Sequence, residues 1–439
     1  MRDPDGRLEL LPDSVRRTVH VPLQADCFLH SSVAKALVSA GLLIPFKFDK
    51  PQVLSSPRVP FVTQPDEWCY EQLFDAGRLT LDIATTILPH GFELKDGSAW
   101  NVVFDGCHPR FCDHLSFVRG ASAQWWAMGQ FFRHFVYPLL LARGGVLWSD
   151  EAFRLYLDGV PAERASNMLG WRRFASRHWI SMLRSGRDAP ATGLPAGRVH
   201  VARPSRSNLY ALCDWMLEGL RRPPRPRSAW IDYSQDRVHY TDRASEQKHA
   251  TVGAWIEALR PDSVLDLGCN TGEFTALALK FARHVVAIDS DRQCVGEVYK
   301  RYRQQTVVSP VLADLTDLAA ARGWAGVEHQ GLVSRLAGRC DLVLALGLIH
   351  HFLTTHSIPL DRVVDLLAQL QAAHVIVELI PSNDSRVLQL CQQRSRAALF
   401  PDWPAQREAF ERRFEVVKLA ELADSGRKLV LLRSRPAPS

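Results

Sequence analysis

Residues 264–274 read Val264, Leu265, Asp266, Leu267, Gly268, Cys269, Asn270, Thr271, Gly272, Glu273, Phe274. A short apolar run enters a glycine turn, and a helical stretch leaves it. Gly268 and Gly272 lack the side chains that would hinder a tight reversal or keep a ligand from the bare backbone. Asn270 stands where many such turns carry another glycine, and asparagine is among the residues that tolerate positive φ. Asp266 precedes the turn. A carboxylate there repels a pyrophosphate and suits an ammonium group. About twenty residues on, Asp289 ends the next apolar run, where a carboxylate accepts hydrogen bonds from two ribose hydroxyls. Asp314 follows a third run, Val311 to Ala313.

Two further runs end in groups that can move protons. His350 and His351 follow Leu342–Leu346, and Glu378 follows Val375–Val377. At the carboxyl end of a parallel sheet, side chains face the ligand crevice. A histidine or carboxylate there can take a proton from a hydroxyl or amine. The plainer reading is that the histidines only shape a pocket or cap the next helix; Glu378 is a second candidate base or a substrate anchor.

The N-terminal half carries a different pattern: Asp96, Asn101 and then Asp113. Kinase-fold catalytic loops read D-x-x-x-x-N, followed by a metal-binding aspartate. The resemblance is local. Neither a glycine-rich nucleotide loop nor a strand lysine is legible upstream, and a β-hairpin with polar turns fits the same text. Cys107, His108, Cys112 and His114 lack any C-x-x-C spacing, so no metal site is expected. Trp125, Trp126, Phe131, Phe132, His134, Phe135 and Tyr137 form a dense aromatic helix, suited to a core or to the wall of an apolar pocket.

Elements must hold these groups in place. From residue 244 onward, helices and short continuous apolar strands alternate. Helices are expected at Ala244–Leu259, Phe274–Ala282, Cys294–Arg303 and Leu360–Gln371. Strands are expected at Val264–Leu267, Val285–Ile288, Val307–Leu312, Leu342–Leu346, Val375–Val377, Phe414–Leu419 and Lys428–Leu432. This predicts a doubly wound, mostly parallel seven-stranded sheet, with a closing antiparallel pair at one edge. Upstream, Ser185–Pro204 is rich in Gly, Pro, Ala and Arg. A helix over Ser207–Leu220 then meets a stop at Arg221–Arg227. We expect an α+β domain over 1–184, a linker with one helix over 185–228, and an α/β domain over 229–439.

The 439 residues are 46% hydrophobic and 23% charged, the balance of an ordinary folded protein. Mean hydropathy is -0.11, and no apolar run reaches the ~18 residues of a membrane span. The polar start, Met1 to Gly6, does not read as a secretory signal. Nine scattered cysteines suit a reducing cytoplasm. The net charge of +6 is mild for this length, and the arginine run reads as solvated chain, so no nucleic-acid partner is expected.

The C-terminal text, over about 240–433, resembles the class I S-adenosylmethionine-dependent methyltransferase family, whose motifs occur here in order. The resemblance implies that Asp266, Gly268, Asn270 and Gly272 border the methionine part of S-adenosylmethionine. It implies that Asp289 holds the ribose, that Asp314 meets the adenine amino group, and that Leu346 ends the strand facing the sulfonium. A nicotinamide-binding unit would need G-x-G-x-x-G, and the text here is G-x-N-x-G. The whole chain is also similar to a group of two-part bacterial proteins, some described as host-specificity nodulation proteins. That likeness is carried by Arg58–Phe61, Glu67, Trp68, Leu94–Asn101 and Asp424–Arg427. The resemblance implies a methyltransferase but names no substrate; we expect a small-molecule or carrier-bound acceptor, and His350, His351 and Glu378, by their place after the strands, are the candidate catalytic groups. The rival readings are a bifunctional or pseudokinase–methyltransferase, and a binding protein with a vestigial cofactor site.

Overall fold

The computed structural model describes residues 5–120, 125, 127–174, 179–180, 182–183, 206–224, 228, 242–318, 320–392 and 400–435. The chain divides into two units. One comprises residues 1–226 with 303–305, the other 227–302 with 306–439.

The first unit opens with a four-stranded antiparallel sheet: β1 (Gly6–Leu10), β2 (Ser14–Val19), β3 (Lys47–Lys50) and β4 (Val53–Pro57), in the order β1-β2-β4-β3. Helix Ser32–Ser39 lies between β2 and β3 in sequence, and the Ser31 hydroxyl caps it by accepting from the Ala34 amide at 3.2 Å. Helix Tyr70–Ile87 follows. β5 (Phe92–Leu94) then pairs with β8 (Phe117–Arg119), and the hairpin of β6 (Val102–Asp105) and β7 (His108–Phe111) lies between them in sequence.

The aromatic helix forms at Met128–Arg143, with a π-helical turn at Phe132–Val136. Phe131, Phe132, Phe135 and Tyr137 are buried, as core side chains are. Trp126 lies outside the described residues. The helix expected within the linker is present at Arg206–Glu218 but belongs to the first unit. Its Tyr210, Cys213, Met216 and Leu217 are buried. Arg78 of helix Tyr70–Ile87 pairs with Asp214 and Glu218, and the Tyr70 hydroxyl donates to the Leu220 carbonyl at 2.6 Å. An amphipathic helix is held by whatever covers its apolar stripe, and here that cover is the N-terminal core. The Gly/Pro/Ala/Arg-rich stretch, Ser185–Pro204, lies outside the described residues.

The second unit is the expected sheet. Its strands are β9 (Ser263–Leu267), β10 (His284–Asp289), β11 (Val308–Leu312), β12 (Leu342–Ala345), β13 (His374–Leu379), β14 (Phe414–Glu421) and β15 (Lys428–Ser434). They run in the order β11-β10-β9-β12-β13-β15-β14, with β15 antiparallel to both its neighbours. The order reverses between β9 and β12, and ligands of open α/β sheets settle at such a switch point. Val264, Val343, Leu344 and Ile376 are fully buried, which accounts for unbroken aliphatic runs rather than alternation. No helix among the described residues is long and apolar enough to cross a membrane.

Candidate cofactor and acceptor crevice

Register sets the site. Leu267 pairs with Ile288 and Ala345, and Ala345 with Val377. The next residues along these strands, Gly268, Asp289, Leu346 and Glu378, therefore stand in one row at the carboxyl edge of the sheet. The turn after β9 docks on the end of β10. The Gly268 and Cys269 amides donate to the Ile288 carbonyl at 2.9 and 3.0 Å. Gly268, Asn270 and Gly272 have φ of 70°, 49° and 82°, so Asn270 takes the conformation its side chain tolerates. Its Oδ1 accepts from the Thr271 amide at 2.6 Å. A Cβ on Gly272 would lie 3.0 Å from Val298 Cγ2, so the glycine there serves both the turn and the packing of helix Arg292–Arg301.

Three carboxylates line this edge. Asp266 is buried and accepts from the Thr275 hydroxyl at 2.7 Å. Burial, assisted by the charge of Asp289, pushes its pKa up to about 6. Asp289 accepts from the Asn270 amide and from the Asp291 amide, both at 2.8 Å. Burial raises its pKa, and these backbone donors restrain the rise. Asp314 lies in the loop after β11 and accepts from the amide and hydroxyl of Thr316 at 2.8 and 2.7 Å. The Ala313 amide donates to the Asp289 carbonyl at 3.0 Å, which ties the two loops together. Backbone donors thus orient the Asp289 and Asp314 carboxylates at this edge.

Leu346 is buried beyond β12, and Leu348 reaches back over Gly268. His350 and His351 sit on helix Ile349–Thr354, with ring centroids 4.0 Å apart. His350 is buried, and its carbonyl accepts from the Thr354 hydroxyl at 2.6 Å. Glu378 ends inside the protein, fully buried, with Lys248 Nζ 2.7 Å from Oε2 and Arg427 Nη1 3.4 Å from Oε1. Neither Lys248 nor Arg427 is marked as a site residue by its local sequence. Lys248 left a signal of burial only: it occupies the four-residue stripe Ala244, Lys248, Val252, Ile256, whose other members are fully buried. A lysine on the inner face of an amphipathic helix needs a partner. Arg427 is carried in by the turn between β14 and β15, where Asp424 and Gly426 have φ of 57° and 62°.

In the first unit, Asp96, Asn101 and Asp113 converge on the buried hydroxyl of Ser116. That hydroxyl donates to Asp113 Oδ2 at 2.6 Å, and Asn101 Nδ2 donates to it at 3.3 Å. Burial raises the pKa of Asp96, assisted by the charge of nearby Asp113. Asp113 pairs with Arg17 of β2 at 2.6 Å. Its pKa is lowered: against the burial that would raise it, the Arg17 charge and the hydrogen bonds from Ser116 and Leu115 prevail. Helix Met128–Phe131 and the π-helical turn after it support the loop, through Gln130 Oε1 to the Gly97 amide at 2.8 Å and His134 Nδ1 to the Ala99 amide at 3.4 Å. His108 and His114 each meet a backbone carbonyl, of Gly41 at 3.1 Å and of Ile44 at 2.9 Å. Burial takes the His114 pKa down to about 4.

Comparison with known proteins bears on the second unit and on the chain as a whole. Residues 237–425 match a family model described as a methyltransferase domain. Over 438 aligned residues the chain is 29% identical to nodulation protein NoeA of Rhizobium meliloti (strain 1021), covering 93% of this chain and 89% of that one. Among solved structures, the N-methyltransferase NodS from Bradyrhizobium japonicum WM9 is 13% identical. The alignment has a TM-score of 0.33 and covers 44% of this chain and 98% of that one. The bifunctional kinase-methyltransferase WbdD is 21% identical, with a TM-score of 0.33, over 47% of this chain and 42% of that one. What the C-terminal half is folded to do follows from the family match: it is a methyltransferase domain, and the chain that carries it is an S-adenosylmethionine-dependent methyltransferase.

Proposed function

We propose that the chain transfers the methyl group of S-adenosylmethionine to a small-molecule or carrier-bound acceptor in the cytoplasm, with no nucleic acid involved. The observation that carries this reading is the row at the carboxyl edge of the sheet. Gly268, Asp289, Leu346 and Glu378 line up across four strands by register alone. On this reading Asp266, Gly268, Asn270 and Gly272 receive the methionine part of the cofactor, Asp289 the ribose and Asp314 the adenine. Leu346 faces the sulfonium. His350, His351 and Glu378 are the candidates to handle the acceptor's proton. Displacement at a methyl carbon depends above all on aligning nucleophile, carbon and sulfur, and a rigid strand edge provides that alignment.

The first unit would present the acceptor. Its small sheet, its helices and the convergence of Asp96, Asn101 and Asp113 support a degenerate kinase-like body. Methyl-labelled cofactor tests the division of labour. Given a metabolite extract, the full chain should label an acceptor. A fragment starting near Ser228 should bind S-adenosylhomocysteine equally well and label nothing. A fragment with undiminished transfer would end the assignment of the acceptor to the first unit.

The same reading sets a pH dependence. A raised folded pKa means that Asp266 favours the fold most when protonated, and this contribution is lost as pH rises through about 6. Cofactor binding runs the other way, because the ammonium group needs the ionised carboxylate. S-adenosylhomocysteine affinity should therefore fall below pH 6, by up to about tenfold per pH unit, and level off above it. Titration calorimetry at several pH values would show it, and Asp266→Asn should flatten the profile.

A further inference from the structure

The sheet β1–β4 carries, on one face, a row of polar side chains that methyl transfer does not use. Register builds it. Glu9 of β1 pairs with Arg16 of β2, Arg16 with Ser55 of β4, and Ser55 with Lys47 of β3. Residues opposite one another on neighbouring strands share a face, so these four stand side by side. Arg17 and Leu54, the next residues along β2 and β4, are buried on the other face. A register shift between Phe48 and Lys50 leaves Asp49 outside the ladder, and bulges re-aim side chains in this way. Asp49 joins the row: its Oδ1 accepts from the Ser55 hydroxyl at 3.0 Å. Arg16, Lys47, Asp49 and Ser55, together with Ser14 and Phe46, line a hollow of about 520 Å³, a size that suits a small ligand.

The groups left over in the hollow say what it takes. Arg16 and Lys47 flank Ser55 on the strands to either side of it. Neighbouring strands lie about 4.8 Å apart, so two long side chains can meet over the serine. Their protein partners hold them loosely. Arg16 Nη1 is 3.4 Å from Glu9 Oε2 and Lys47 Nζ 3.6 Å from Asp49 Oδ1, on cations 45% and 78% exposed, and exposed pairs of this kind contribute little. Among the described residues no other side-chain acceptor meets either cation. Both contacts of Asp49 engage Oδ1, which leaves Oδ2 to accept from a hydroxyl. A guanidinium and an ammonium together suit a dianion such as phosphate. Asp49 would repel a bare dianion, so its place is explained only by a ligand that also brings hydroxyls. We propose that this hollow binds a phosphorylated polyol, a small sugar phosphate, with the phosphate between Arg16 and Lys47 and a hydroxyl donating to Asp49 Oδ2. Methyl transfer uses none of these residues, so the site stands or falls independently of it.

Titration calorimetry on the full chain tests this with glucose 1-phosphate, glucose 6-phosphate and glycerol 3-phosphate, set against inorganic phosphate and glucose. At least one of the three phosphorylated polyols should bind about tenfold more tightly than inorganic phosphate, as one hydrogen bond to a carboxylate allows. Glucose alone should bind more weakly than that compound. Arg16→Gln and Lys47→Gln should each weaken its binding about tenfold, through loss of a charge-assisted hydrogen bond. Asp49→Asn should narrow its preference over inorganic phosphate, because the bare anion is no longer repelled and the hydroxyl loses its charged acceptor. Glu9→Gln, which releases Arg16 from its neighbour, should tighten binding. These side chains lie on an exposed face, so the variants should melt with the unaltered chain. Absence of binding by all three compounds, at concentrations up to about 10 mM, overturns the proposal. So does binding that persists in the Arg16→Gln, Lys47→Gln double variant, or a preference over inorganic phosphate that Asp49→Asn leaves intact.

Discussion

Asp289→Ala will weaken S-adenosylhomocysteine binding ten- to a hundredfold. The carboxylate ends β10, and the amides of Asn270 and Asp291, one from each adjoining loop, fix it at 2.8 Å. Removing it has two consequences. On the proposed reading the ribose hydroxyls in a partly buried site lose their acceptor, at about 1–3 kcal/mol, or about ten- to a hundredfold in affinity. The Asn270 amide also loses the partner that ties the glycine turn to β10, so the turn itself is held less firmly. Asp289→Asn separates these effects: an amide oxygen can still accept from one backbone donor, but the charge is gone. We expect it to lie between the other two proteins in calorimetry. Unchanged affinity in a folded Asp289→Ala protein would remove Asp289 from the cofactor site.

The C-terminal sheet was legible because burial on both faces writes itself as short aliphatic runs between turn residues. All seven expected strands are present, displaced by one or two residues at their ends. Asp289 and Asp314 were legible because each stands at the point where such a run stops, and Asp266 because a carboxylate inside an aliphatic run next to a glycine turn is out of place. What could not be read is what sequence distance hides. Lys248 and Glu378 are 130 residues apart, and nothing local in either marks the other. Arg427 looked like a turn residue beside Gly426. The helix Arg206–Glu218 was recognised from its apolar stripe, but the stripe does not say which core it covers. The sheet β1–β4 escaped altogether: β2 reads Ser14 to Val19 with two arginines at its centre, and β3 is mostly charged. One of those arginines, Arg17, is the residue that matters most to the motif downstream.

Asp113→Asn will destabilise the first unit by about 3 kcal/mol, at the lower end of what breaking a buried ion pair costs. Arg17 is 8% exposed and Asp113 20% exposed at the side chain. The substitution leaves a guanidinium charge with a neutral partner in a largely dry site, while the bonds from Ser116 and Leu115 can partly re-form. Arg17→Met should cost a similar amount, because it strands the carboxylate instead. The double variant should recover part of the loss, the sign of direct coupling in a double-mutant cycle. The acid limb of unfolding gives a second measure. Because its folded pKa is lowered, Asp113 contributes stability above the carboxylate range, and loses it as pH falls through that lowered value. Asp113→Asn should abolish that part of the acid dependence. The pair also bears on the kinase-like pattern. A magnesium ion at Asp113 would have to compete with Arg17 for Oδ1 and with the Ser116 hydroxyl for Oδ2. Magnesium with ATP should therefore leave the melting temperature of the full chain unchanged. A clear upward shift, lost in Asp113→Asn, would show that Arg17 yields to the metal and that the first unit binds nucleotide after all.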